Sequence, residues 1–142
     1  MILLQHKSLR WIVGALAIAI LVAAYLFQKF DYSSLIGNYS SNARFVINRT
    51  ARFLINDASC LLLIMAIFNQ SSYLRVGTWI FLIELIVLLP AYFIVKLSLE
   101  GDSEISSPLL SQVHRMIINP LLMIALIMGL FYQDYFWKKS KR

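Results

Sequence analysis

Residues 52–70 read RFLINDASCLLLIMAIFNQ, an apolar stretch whose first six residues include an arginine, an asparagine and an aspartate. Its length and composition predict a helix that crosses a membrane. Ionisable side chains inside a bilayer are costly, and they usually mark a functional position. The polar start of this helix therefore predicts a specific contact or binding site at that end.

The composition of the whole chain also indicates a membrane protein. Hydrophobic residues make up 60% of the 142 residues, charged residues make up 14%, and the mean hydropathy is +0.73, whereas soluble domains are nearer half apolar and a quarter charged. The net charge of +6 does not predict nucleic-acid binding, because the basic residues lie at the ends of apolar runs. The single cysteine, Cys60, excludes an intrachain disulfide and a multi-cysteine metal site, and no cofactor is expected.

Four apolar runs predict an all-α membrane protein, a single integral membrane domain over residues 1–142 with four transmembrane helices arranged as two hairpins. The spans are expected at about residues 11–28, 50–69, 76–96 and 114–136. Glu84 and Pro90 interrupt the third span, where the proline is expected to kink the helix. We expect the first span to be retained; a cleaved signal peptide is the alternative.

The design of residues 52–70 recurs 63 residues later, in residues 115–133. Eight of the 19 aligned positions are identical, and they include the arginines at 52 and 115 and the asparagines at 56 and 119. An internal duplication would make each half of the chain one hairpin and the halves parallel repeats. Convergence of two apolar helices on the same residue types is the alternative interpretation.

Flanking charges and tryptophans predict the orientation in the membrane. Basic residues count most in short segments beside the spans, and the densest basic block is the tail over residues 138–142. Trp11, Trp79 and Trp137 lie toward the same side, as one belt of interfacial anchors would. We therefore expect both termini in the cytoplasm and the arginine-bearing helix ends at the outer face.

The second helix is expected to carry its polar residues on one face. At about 100° per residue, Arg49, Arg52, Asn56 and Cys60 fall within about 80° of one another. If the duplication is real, Arg52 and Arg115 lie at equal depth near the outer face, with Asn56 and Asn119 one turn deeper.

Two arginines at one level repel each other, so such a site would need a negative group. The candidates are Asp57, a loop carboxylate at Asp102 or Glu104, a lipid phosphate or an incoming carboxylate, and arginine can bind any of them through two parallel hydrogen bonds. The alternative is that each arginine simply extends along the apolar surface to the lipid headgroups.

Two further ionisable residues are of interest. His114 adjoins Arg115 and has an ordinary pKa near neutrality, although a residue in this place more often ends a loop. Glu84 lies about 12 Å inside the third span, and we expect it to be neutral or hydrogen-bonded to Ser59 or to another helix. With no second carboxylate expected at its depth, a proton-relay role has no partner group.

Cys60, His114 and Arg115 suggest one alternative function, a membrane-embedded cysteine hydrolase or transpeptidase. A nucleophile and its base must come within about 3 Å of each other, whereas we expect Cys60 about 12 Å below Arg115. A small transporter or lipid-binding protein that uses Glu84 and the arginines is another alternative. Neither a metal-ligand cluster nor a phosphate-binding loop is present in the sequence.

The chain resembles the small bacterial exosortase F system-associated membrane proteins, in NRTARFLIN at 48–56, HRMIINP at 114–120 and FYQ at 131–133. The resemblance covers most of the chain, although a doubled arginine expected before the fourth span is here His-Arg. It implies an accessory protein of the bacterial inner membrane, associated with an exosortase. Exosortases are membrane enzymes that process proteins bearing a C-terminal sorting tail, and the accessory family is not itself the enzyme.

The predicted function is therefore that of a non-catalytic accessory membrane protein. Its outer arginine and asparagine cluster would contact the exosortase, the substrate tail or membrane lipid. The predicted cluster consists of Arg49, Arg52, Asn56, Asp57, His114, Arg115 and Asn119, with Glu84 as a separate intramembrane carboxylate.

Overall fold

The structure is a computed structural model, and it describes residues 4, 6–37, 39–101 and 107–140, with side chains as far as Phe136. Two proposed counter-charges, Asp102 and Glu104, and the Trp137 side chain lie outside the described part. Within that part the chain is helical and contains no strand, which confirms the all-α class.

Six α-helices follow one another along the chain. They are α1 (Lys7–Leu26), α2 (Ser41–Phe68), α3 (Ser71–Ile83), α4 (Leu89–Leu99), α5 (Pro108–Ile118) and α6 (Leu121–Ser140). A short 3-10 helix, Tyr32–Leu35, lies between α1 and α2, and a π-helical turn, Glu84–Leu88, joins α3 to α4.

Three segments are long and apolar enough to cross a membrane, namely α1, α2 and the continuous Ser71–Leu99 segment. Helices α5 and α6 make a fourth candidate if they cross as one span, but they are bent by 57°. The sequence predicts one transmembrane helix over 114–136, and the structure divides this range between α5 and α6. Asn119 is extended, with φ −85° and ψ 133°, because a residue before proline is biased away from helical geometry.

The third span, unlike the fourth, stays continuous around its proline. Pro90 has no backbone N–H, and in a regular α-helix its ring would clash with the carbonyl of Ile86. The helix widens over Glu84–Leu88, and the Leu89 N–H donates to the Glu84 carbonyl, five residues earlier. Such π-helical turns often occur at functional positions, and Glu84 is the first residue of this one.

Helix α2 is the centre of the bundle and contacts each of the other five helices. One buried cluster joins Phe53 of α2 to residues of α4 and α5, and Phe53 also stacks on Phe81 with ring centroids 5.8 Å apart. A second cluster contains Cys60, Ile64 and Met123. α2 therefore determines which side chains of its neighbours meet in the interior.

The bundle has two ends, which we name by the chain segments found there. The loop end holds the connection after α1 and residues 100 and 101, which follow α4. The terminal end holds the start of α1 and the turn at Asn69 and Gln70. At the terminal end, the Arg10 guanidinium donates to the backbone carbonyls of Ala66 (3.1 Å) and Ile67 (2.7 Å), which satisfies the last turn of α2.

The two segments of the proposed duplication fold differently. Residues 52–70 lie almost entirely in the unbroken helix α2, whereas residues 115–133 are divided between α5 and α6. The helix geometry does not repeat, so the internal duplication remains a prediction from the sequence.

Candidate functional site

The arginine-bearing half of α2 lines a cavity of about 730 Å³ at the loop end. We call it the basic cavity. Among its lining residues are four basic ones, one carboxylate and two amides: Lys29, Arg44, Arg49, Arg52, Asp31, Gln28 and Asn48. Four cations facing one anion leave an excess of positive charge on its walls.

The Asp31 carboxylate is hydrogen-bonded within its own loop and to α2, so its negative charge is not free to neutralise the cavity cations. Its Oδ1 accepts hydrogen bonds from the Ser33 hydroxyl (2.5 Å), the Ser33 N–H (3.1 Å) and Nδ2 of Asn48 (2.8 Å). The bonds from Ser33 and then Asn48 hold the pKa of Asp31 below its ordinary value. The ionised carboxylate therefore fastens the loop to α2 and shapes the cavity wall.

Two arginines of α2 are positioned by neighbouring groups. The Arg49 guanidinium lies 5.3 Å from the centroid of the Phe45 ring, a cation–π contact. Arg52 is half-buried, and its Nη2 donates to the Phe30 carbonyl at 3.4 Å. As the helical periodicity predicts, Arg49 and Arg52 lie on one face, and that face is a wall of the cavity.

Arg115 lies outside this cavity, on an exposed position of α5. It still belongs to the same electrostatic neighbourhood, because Arg49, Arg52, Lys96 and Arg115 all act on the His114 ring. The expected single site for Arg52 and Arg115 is therefore corrected: both lie near His114, but only Arg52 lines the cavity.

The two asparagines of the predicted cluster have different surroundings. Nδ2 of Asn56 donates to the backbone carbonyl of Ile118 at 3.0 Å, at the end of α5. Asn119 is exposed and forms the break between α5 and α6. Asn56 thus holds the break in place, and it does not turn toward the basic cavity.

Asp57 does not accompany the arginines, which corrects a second expectation. It lies about 140° around α2 from Arg52 at 100° per residue, and it is fully buried. Its carboxyl group interacts with that of Glu84, whose residue is 3% exposed. Glu84 therefore lies next to a carboxyl group that the sequence analysis placed elsewhere. The Ser59 hydroxyl, its other predicted partner, donates to the Ile55 carbonyl (2.7 Å).

Lys96 is a buried cation that the sequence analysis did not single out. It is 1% exposed, and its Nζ lies 2.5 Å from Oε2 of Glu100. Oε1 of Glu100 accepts the Ser107 N–H at 2.7 Å. The bonds from Lys96 and then Ser107 lower the pKa of Glu100 to about 2. The spacing of four residues is the signal that could have identified the pair.

The residues of the cysteine-enzyme alternative occupy separate surroundings. Cys60 packs with Ile64 and Met123 in the bundle interior. His114 Nδ1 lies 2.8 Å from the Tyr92 hydroxyl, so that ring nitrogen is engaged with a phenol. Within the described residues, no group of three or more His, Cys, Asp or Glu side chains could hold a metal ion.

Comparisons with known proteins give no match: no family model, no curated protein and no solved structure is significantly similar to this chain.

Proposed function

We propose that this protein is a non-catalytic accessory protein of an exosortase-type sorting system, and that its basic cavity binds an oxyanion group of a partner. The observation that carries the proposal is the cavity of about 730 Å³ walled by Lys29, Arg44, Arg49 and Arg52. Guanidinium groups are suited to carboxylates and phosphates because their planar array of N–H groups makes two parallel hydrogen bonds.

The cavity coincides with the motif on which the family resemblance rests. Asn48, Arg49 and Arg52 belong to the 48–56 segment, and all three line the cavity. The contact site proposed for the exosortase, its substrate tail or the surrounding lipid is therefore this face of α2, without Arg115 as an equal partner.

The proposed location is the bacterial inner membrane, with both termini in the cytoplasm and the basic cavity at the outer face. The tail of a sorted protein or the headgroup of an outer-leaflet lipid would then reach the cavity from the periplasm. Topology reporters fused after residue 142 and inserted within residues 102–106 test this arrangement.

Co-purification with the exosortase of the same organism tests the function. The double variant R49Q/R52Q removes two cavity charges while keeping long polar side chains, and we expect it to lose the exosortase. Arg75→Gln is the matched control, because Arg75 is exposed on α3 at the terminal end of the bundle. This variant should co-purify with the exosortase as the wild type does. Undiminished co-purification of the double variant, at equal expression and thermal stability, would overturn the proposal.

A second measurement separates the sources of the oxyanion. If the group is a lipid phosphate, native mass spectrometry of the wild type should retain phospholipid adducts that the double variant loses. If it is a carboxylate of a protein partner, lipid adducts should be equal in both proteins while the exosortase is still lost from the variant.

A further inference from the structure

Two carboxyl groups meet in the interior of the bundle, away from the basic cavity. Asp57 on α2 is fully buried and Glu84, at the start of the π-helical turn, is 3% exposed. The two carboxyl groups interact with each other. No donor group of the described residues reaches Oδ1 or Oδ2 of Asp57 or Oε1 of Glu84.

A hydrogen bond between two carboxyl groups requires a proton, because an ionised carboxylate can only accept. Two buried carboxylates in contact would also repel each other in a medium that solvates charge poorly. Among the described residues, no cation offsets this repulsion: the charge that acts on Asp57 is that of Glu84. Both effects favour a pair that holds at least one proton over a pair of two carboxylates.

Glu84 lines a groove on the surface of the bundle, whereas Asp57 is fully buried. A groove of about 240 Å³ lies between the third span and α6, and Glu84 is part of its lining. Its other walls are apolar: Ile80, Ile83, Leu88, Leu122 and Leu126. Among the described residues, the buried Cys60 thiol on α2 is also within electrostatic reach of the pair.

We propose that Asp57 and Glu84 together form a proton-binding site within the membrane, and that the Glu84 side of this site is reached through the groove between the third span and α6. The ligand is the proton itself, held between two carboxyl oxygens. The proposal is independent of the basic cavity, because it involves a different face of α2 and a different neighbouring helix.

A lipid-soluble carbodiimide, dicyclohexylcarbodiimide, tests the site in the full-length protein reconstituted in lipid nanodiscs. A protonated carboxyl group adds its oxygen to the central carbon of the reagent while its proton passes to a reagent nitrogen. The O-acylisourea so formed rearranges to a stable N-acylurea. Intact-mass and peptide analysis should find one reagent adduct at neutral pH, located on Glu84.

Variants and pH distinguish this site from general surface labelling. Glu84→Gln should lose the adduct. Asp57→Asn should keep it but stop reacting at a lower pH than the wild type, because the neighbouring negative charge no longer holds the proton. An unlabelled wild type at neutral pH, equal labelling of Glu84→Gln, or identical pH profiles for wild type and Asp57→Asn would each overturn the proposal.

The groove itself is tested by filling it. Leu122→Phe enlarges a wall residue and should slow the labelling of Glu84. Ile124→Phe is the control, because Ile124 is exposed on α6 and does not line the groove. Infrared spectra of the wild type alone give an independent readout, since the carbonyl band of a protonated carboxyl should be present at neutral pH and disappear on raising the pH. Equal rates for the two variants would overturn the access route, and absence of the band would overturn the proton site.

Discussion

The side-chain amide of Asn56 in α2 donates to the backbone carbonyl of Ile118, the last residue of α5, over 3.0 Å. The carbonyl groups in the last turn of a helix lack partners within that helix. Here α5 stops before Asn119 and Pro120, and the central helix supplies one of the missing donors. A single side chain of α2 thereby stabilises the place where α5 and α6 bend by 57°.

Asn56→Ala should lower the free energy of unfolding by about 1–2 kcal/mol, because the Ile118 carbonyl would lose its donor in the bundle interior. Asn119→Ala, at an exposed position, should have a smaller effect. Thermal denaturation of both variants in the same detergent measures the difference. Equal losses would contradict the distinct roles of the two asparagines and would favour the equivalence that a duplicated pair implies.

Gly77 allows α3 to approach α2 closely. A Cβ atom there would lie 2.9 Å from Cδ1 of Ile64 and 3.0 Å from Cδ2 of Leu61, whereas a Cβ at Gly129 would meet nothing within 4 Å. We expect Gly77→Leu to destabilise the bundle by about 1–3 kcal/mol through overpacking. Gly129→Leu is the matched control and should leave the melting temperature near that of the wild type. Similar melting temperatures for the two variants would mean that α3 does not pack on α2 as described.

The Lys96–Glu100 ion pair predicts a dependence of stability on pH. The pKa of Glu100 falls from an ordinary 4.5 to about 2, so the folded state favours the ionised form. The stabilisation is present above about pH 4.5 and is lost as the pH falls toward 2. Below that range the buried Lys96 ammonium loses its counter-charge.

Melting temperatures measured between pH 2 and pH 4.5 test this pair. The wild type and Glu100→Gln should both lose stability on acidification, since Asp31 also has a lowered pKa. Glu100→Gln should lose less than the wild type. Lys96→Met removes the buried cation and should flatten the wild-type profile in the same way. Parallel profiles for the wild type and Glu100→Gln would show that the ion pair contributes nothing to the folded state.

Much of the helical framework could be predicted because it follows from local sequence. The apolar runs located the helices, and helical periodicity placed Arg49 and Arg52 on one face. The break before Pro120 was not predicted. Proline is common at the start of a helix and is tolerated within membrane helices, so the local sequence is compatible with either outcome. The contact between Asn56 and Ile118 is a tertiary interaction of the broken form, which local sequence does not reveal.

The Asp57–Glu84 pair was missed although the sequence contained a signal for it. In a hairpin with a two-residue turn, residues equally far from the turn lie at similar depths. Asp57 precedes Asn69 by 12 residues (69 − 57) and Glu84 follows Gln70 by 14 (84 − 70), a difference of about 3 Å at 1.5 Å per residue. The rotation that makes the two side chains face each other depends on packing between α2 and α3, which periodicity alone does not determine.

Asn69 closes the hairpin between α2 and α3. Its backbone is left-handed, with φ 51° and ψ 32°, and its side chain donates to the Leu4 carbonyl (2.9 Å) and accepts from the Leu4 N–H (2.6 Å). Asn69→Gly removes both hydrogen bonds but suits the backbone. Asn69→Ala removes them and adds left-handed strain of about 1–2 kcal/mol.

We therefore expect Asn69→Ala to melt at a lower temperature than Asn69→Gly, and both to melt below the wild type. Asn69→Asp separates the two hydrogen bonds, because its carboxylate can accept from the Leu4 N–H but cannot donate to the carbonyl. Its melting temperature should lie between those of the wild type and Asn69→Gly. If Asn69→Ala were as stable as Asn69→Gly, backbone strain would not contribute at this turn, and the depth matching of Asp57 and Glu84 would have to arise from interhelical packing alone.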